Sequence, residues 1–240
     1  MNLDLEHPAP FWPLIESDSE STERVLTLCS EQNHFITALD HNGTVPNSLR
    51  SKLEVFIRSS KELITSISAY HGCRVSNEDD YRFRGILRRP PEAMVEECKK
   101  IFGQECKTER VVESLERRYP GYTAHNASRV FCVRSIAAVK KIQCNHPKGS
   151  ELIRAVAREL GPGAEELYQS SGKKCFIEAR TPRNFYSQHA EPEVSELLRA
   201  LFSHWLTTKL KREAITDSRE GGITFDTDLS PKMVHAFHYQ

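Results

Sequence analysis

The chain has 240 residues, 38% hydrophobic and 28% charged, which is enough for one large domain or two small ones with a real core and excludes a disordered chain. Lys plus Arg number 33 and Asp plus Glu number 33, so it lacks the basic excess of an obvious nucleic-acid or membrane-surface binder, although local basic patches stay open. No run approaches the roughly 18 apolar residues of a membrane helix, and no apolar stretch follows the acidic start Met1 to Glu6, so neither a membrane partner nor a secretory signal is expected. The seven cysteines (Cys29, Cys73, Cys98, Cys106, Cys132, Cys144, Cys175) are odd in number and spread along the chain. Several sit in apolar settings such as Val130-Phe131-Cys132-Val133, which reads as reduced, mostly buried thiols in a cytoplasmic protein.

Residues 1–18 carry Pro8, Pro10 and Pro13 around Phe11 and Trp12, and read as an extended arm packing its aromatic side chains on the body. Ser21 or Thr22 is expected to cap a helix through about Asp40, stopped by His41-Asn42-Gly43. A second helix starts at Asn47 or Ser48, with Leu49, Leu53, Phe56, Ile57 and Ile64 as its apolar stripe. Ser66 to Val75 reads as a strand and 77–80 as a polar break. Helices follow from Pro90-Pro91 through Phe102 and over about 109–118. Tyr119-Pro120-Gly121-Tyr122 is a turn. Arg129 to Arg134 reads as a strand, Ser150 to Leu160 as a helix closed by Gly161-Pro162-Gly163, and Lys174 to Arg180 as another strand. Pro192 to Lys211 is a long amphipathic helix with Val194, Leu197, Leu198, Leu201, Phe202, Trp205 and Leu206 on one face. Gly222 to Phe225, Leu229-Ser230-Pro231 and Met233 to Tyr239 end the chain. Strands and helices alternate irregularly, which favours α+β over a doubly wound sheet.

Most catalytic and phosphate-binding motifs are absent: there is no G-x-G-x-x-G, no P-loop, no G-x-S-x-G, no H-E-x-x-H and no C-x-x-C. Cys144-Asn145-His146 offers two ligands where a structural zinc needs about four, so it reads as a loop. Cys73 lies two residues from His71 on the same strand face, as a thiol nucleophile and its base would. No third residue orients the pair, so a small buried thiol is the simpler reading. Arg82, Arg84, Arg88 and Arg89 form a cluster that reads either as a solvated face or as a surface that meets an acidic or nucleic-acid substrate.

One ordered constellation remains. Tyr70-His71-Gly72-Cys73-Arg74 closes the strand at 66–75, and Arg84-Gly85-Ile86-Leu87 follows shortly after. Further on come Arg129-Val130-Phe131-Cys132-Val133, then Ser135-Ile136-Ala137-Ala138, then Glu220-Gly221-Gly222-Ile223-Thr224-Phe225 with Leu229-Ser230-Pro231-Lys232-Met233-Val234. Over residues 66–240 this order resembles the His-type ADP-ribosyltransferases, whose first strand ends in His-Gly-x-Arg. The resemblance implies an α+β fold with a split two-sheet core, preceded by a helical lead-in: an N-terminal arm and helices over 1–65, and the transferase-like domain over 66–240.

The resemblance also implies NAD as a substrate. His71 would hydrogen-bond the adenosine-side ribose, and Gly72 would let the backbone approach the nicotinamide carboxamide without a Cβ in the way. Arg74 is either a surface charge or faces the pyrophosphate with its forked donors. Phe131 would pack on nicotinamide where the family places a Tyr, a departure that loses a hydrogen bond. Glu220 would be the catalytic carboxylate, with Glu178 and Glu151 as fallbacks, and the glycines after it are a second departure. The implied function is NAD-dependent ADP-ribosyl transfer to a protein or nucleic-acid acceptor. A non-catalytic interaction module on the same fold is the alternative, with the helices of 21–65 holding a partner. A hydrolase or nuclease pairing His71 with another histidine has no spacing to support it.

Overall fold

A computed structural model describes residues 1–32, 34–40, 43–103, 106–118, 120–121, 129–141, 150–186, 190–212, 219 and 221–240. The chain is an α+β protein that divides into two compact units, Met1–Ser68 with Thr181–Gly221, and Ala69–Arg180 with Gly222–Gln240. This is not a cut at 65/66, because 181–221 joins the N-terminal helices. The reason lies in their apolar faces, which match each other.

In the first unit, β1 (Asn2–Leu3) pairs in parallel with Ser66 and Ile67 at the start of β2 (Ser66–Val75). A 3-10 turn (Ala9–Phe11) and α1 (Trp12–Ile15) follow, so the proline-rich arm folds into short turns rather than staying extended. Pro10 and Pro13 fall within the first two positions of those helices, where a missing N–H costs nothing. Leu3, Leu5, Phe11 and Ile15 are buried. The helix expected through Asp40 is two, α2 (Ser19–Glu31) and α3 (His34–Asp40). The cap of α2 is Asp18, whose carboxylate accepts the Ser21 N–H at 3.2 Å, rather than Ser21 or Thr22.

Leu49, Lys52, Leu53, Phe56 and Ser60 recur at helical spacing as the buried face of α4 (Asn47–Lys61). Against it and α3 packs α11 (Ala190–Lys209), whose Val194, Leu197, Leu198, Leu201, Phe202, Trp205 and Leu206 are all buried. The Phe202 ring lies 5.8 Å from that of Phe56, and the Trp205 indole N–H donates to Glu16 at 2.8 Å. Each fully buried large apolar side chain contributes about 1.5–3 kcal/mol, so this seam is a main source of the unit's stability.

The second unit carries the strand order β5-β3-β2-β4-β6. Here β3 (Val130–Val133) pairs antiparallel with β2 at Tyr70↔Val133 and with β5 (Gly222–Phe225), while β4 (Lys173–Pro182) pairs antiparallel with β6 (Val234–Tyr239). The described strands therefore make one open sheet, where the sequence led us to expect a split pair. β6, which no expectation included, joins the other strands by pairing with β4.

The polar break at 77–80 opens a helix, α5 (Glu78–Arg84), because Asn77 accepts the Asp79 N–H at 3.0 Å. Helices α6 (Pro91–Phe102), α7 (Thr108–Arg118), α9 (Glu151–Leu160) and α10 (Pro162–Ser170) share a core around Met94, Val111, Leu115, Ile153 and Val156. Pro162 starts α10 rather than merely stopping α9. Helix α8 (Ile136–Lys141) is capped by Ser135, which accepts the Ala138 N–H at 3.2 Å, and covers Tyr70, Val133 and Phe176. No described helix is long and apolar enough to cross a membrane.

Candidate functional site

The second unit holds a pocket of about 430 Å³. The end of β2 supplies His71, Cys73 and Arg74. Helix α5 and its exit supply Tyr81, Arg84, Arg88 and Arg89, α6 supplies Glu97 and Lys100, and Ile153 and Tyr168 close the far wall. Two of the residues singled out by the His-Gly-x-Arg pattern, His71 and Arg74, thus line one cavity. The clustered arginines 84, 88 and 89 stand beside them.

His71 has a defined orientation. Its Nδ1 lies 2.9 Å from the carbonyl oxygen of Phe131 on the neighbouring strand. A carbonyl only accepts, so Nδ1 carries a proton and donates to it. Gly72 is half-buried between His71 and Cys73. Phe131 contributes its carbonyl here; its ring is 46% exposed on β3 and is not one of the pocket's walls.

Arg74 is largely committed to structure. One terminal nitrogen donates to the carbonyls of Gln169 and of Gly172 (2.6 Å to the latter), and the guanidinium lies 5.7 Å over the Tyr168 ring. Its Nε is buried with no acceptor among the described residues. A buried donor left in that state costs about 1–3 kcal/mol, which a bound acceptor would recover.

The remaining cations divide into two groups. Arg88 pairs with Asp228 at 3.3 Å and donates to the Asp226 carbonyl at 3.0 Å, and Arg89 pairs with Glu97 at 2.5 Å. Arg84 and Lys100 have no ion-pair partner among the described residues. Five cationic side chains (Arg74, Arg84, Arg88, Arg89 and Lys100) and three carboxylates (Asp80, Glu96 and Glu97) line the pocket, a positive excess among the described residues that suits an anion.

The thiol and phenol on the β2 side are inert. Burial pushes the Cys73 thiol up to about 12, although its hydrogen bond with Tyr81 pulls the other way. Burial likewise raises Tyr81. Cys73 stays protonated at neutral pH, which fits the small buried thiol rather than a nucleophile. All six described cysteines are free and buried.

The fallback carboxylate Glu178 is elsewhere. Its side chain, 5% exposed on β4, is held by Arg180 Nε at 2.8 Å and lies 3.4 Å from His238 Nε2. It is not a wall of the pocket. Glu151 opens α9. Glu220, and the Cys144-Asn145-His146 segment, lie outside the described residues. Among those described, no group of three or more His, Cys, Asp or Glu is placed to hold a metal.

Sequence reasoning missed Tyr81, Lys100 and Tyr168 as walls. Arg84 and Arg89 belonged to the visible arginine cluster. Lys100 and Tyr168 carry no local signal, because each reaches the pocket only through the packing of α6 and α10. Comparison with protein-family models, with curated proteins and with solved structures found no match.

Proposed function

We propose that this pocket binds NAD and that the chain transfers ADP-ribose from it to an acceptor. The observation that carries the reading is that His71 and Arg74, chosen from the His-Gly-x-Arg pattern alone, line one cation-bearing cavity. In that cavity the His71 ring is anchored through Nδ1 on the Phe131 carbonyl, which fixes it where a ribose hydroxyl would meet it. Arg84 and Lys100, which line the cavity without an ion-pair partner among the described residues, suit the pyrophosphate.

In the reaction the bond from ribose C1′ to the nicotinamide nitrogen breaks and its electron pair leaves with nicotinamide. The acceptor then bonds to C1′ and gives up its proton. A carboxylate beside C1′ stabilises the oxocarbenium-like state, and Glu220, just before β5 in sequence, is our candidate for it.

The test is NAD binding by calorimetry together with nicotinamide release. His71→Ala should weaken NAD binding by about 1–2 kcal/mol, the worth of one hydrogen bond. Glu220→Gln should keep binding and abolish release. Equal NAD affinity in wild type and His71→Ala overturns the site.

A second reading, a non-catalytic module on the same pocket, has one observation in its favour. Of the carboxylates that line the pocket, Glu97 is tied to Arg89 and Glu96 to Lys99, which leaves Asp80, and the fallback Glu178 is not a wall of it. NAD binding by wild type without nicotinamide release selects that reading.

A further inference from the structure

Consecutive side chains of α5 meet different fates. Tyr81 shares a hydrogen bond with Cys73 inside the unit. Arg82 pairs with Glu78 at 2.8 Å and lies 4.9 Å over the Phe237 ring. Phe83 is 78% exposed, the highest value among the large hydrophobic side chains described. Arg84, next to it, lines the pocket without an ion-pair partner among the described residues. Lys100, on the α6 wall, is in the same condition.

A single exposed apolar residue is ordinary. This one stands in an Arg-Phe-Arg step beside Arg84, a wall of the cavity that also holds Lys100, neither of them with an ion-pair partner among the described residues. The helix that carries it is held firmly. Asn77 caps it, Glu78 accepts from the Tyr239 hydroxyl at 2.7 Å, and its exit at Gly85-Ile86 is hydrogen-bonded to Leu229 at 2.9 Å in both directions. Phe83 and Arg84 are therefore presented on a fixed support, at little ordering cost to a ligand.

We infer that Phe83, Arg84 and Lys100 form a docking surface for a single-stranded nucleic acid, with a base stacked on Phe83 and the backbone phosphates on the two cations. A flat exposed ring accepts the face of any base, and the cations accept the phosphates on either side. An acidic peptide would satisfy the cations but has no planar group for the ring, and a duplex keeps its base faces hidden. The neutral total charge makes this a local, salt-sensitive contact rather than a broad basic surface. The two cations are those the transferase reading gives to the pyrophosphate, so NAD and the strand compete for them, and the inference stands apart from that reading.

Fluorescence anisotropy of the full chain with a labelled mixed-sequence strand of about 12 nucleotides, as RNA and as DNA, tests it. The strand should bind at low salt. Phe83→Ala should weaken it on the order of tenfold and Phe83→Trp should keep it. Arg84→Gln and Lys100→Gln should each reduce the salt slope by about 0.7. Unchanged melting curves show that these surface variants fold. Absence of strand binding, wild-type affinity in Phe83→Ala, or equal affinity for a duplex or for poly-glutamate overturns the inference. The NAD-induced melting shift, measured on wild type and on Phe83→Ala, reports separately on the pocket, since Phe83 is not one of its walls. Strand binding without an NAD shift removes the transferase reading and leaves this surface standing; an NAD shift without strand binding does the reverse.

Discussion

Gly85 shows at one residue how the pocket's wall is fixed. Its φ is +79°, a region open to glycine and costly for other residues, and a Cβ there would stand 2.0 Å from the Leu229 carbonyl oxygen. The steric conflict is with backbone, so it cannot be relieved by turning a side chain. Gly85→Ala should cost at least about 1–3 kcal/mol, read as a lower denaturation midpoint, and should loosen the Ile86↔Leu229 bridge. Cys73 makes a second prediction at this scale. Its folded value near 12 lies above that of an unfolded thiol, about 8.5, because burial disfavours the thiolate. The stabilisation is then fully present below about pH 8.5 and is lost as pH rises towards 12, at up to about 1.4 kcal/mol per pH unit. Chemical denaturation at neutral and at alkaline pH should show that loss, and Cys73→Ala should show a shallower one. An identical pH dependence in the variant removes Cys73 as the cause.

At the scale of elements, caps and apolar stripes do most of the work. Helix α5 has only two turns, no buried residue of its own, and one side-chain cap. Asn77→Ala should therefore cost about 1 kcal/mol, while Asn77→Asp keeps the acceptor and should cost little. Because α5 carries Tyr81 and Arg84 into the pocket, the proposed NAD binding implies that Asn77→Ala also weakens it beyond the effect on melting, which calorimetry reads. Helix α11 is the opposite case, held by its buried face. Trp205→Ala removes a wholly buried ring and orphans a hydrogen bond to Glu16, so a loss of about 3–5 kcal/mol in denaturant unfolding is expected.

For the whole molecule, the arm is the informative part. Leu3, Leu5, Phe11 and Ile15 are all buried within the first unit, and β1 pairs with the start of β2. At about 1.5–3 kcal/mol for each buried side chain, the arm contributes an amount comparable to the 5–15 kcal/mol that separates folded from unfolded chains. Deleting residues 1–18 should abolish cooperative thermal unfolding, and limited proteolysis of the intact chain should leave them attached. A truncated chain that melts cooperatively at the wild-type temperature refutes this.

Some of these features were legible in the chain alone. The Leu and Trp stripe of α11 shows its helical period whatever surrounds it, and the runs at 66–75 and 129–134 read as strands because their residue types favour an extended backbone. That His71 and Arg74 line one pocket follows from their spacing, since neighbours on a strand end stay neighbours in space. Other features needed the fold. The union of 181–221 with the N-terminal helices, β6 beside β4, and Lys100 and Tyr168 opposite His71 join residues far apart in sequence. The local pattern of each segment states which face is apolar but not which partner will cover it. That choice is made by the complementarity of whole surfaces, and only the tertiary structure decides it.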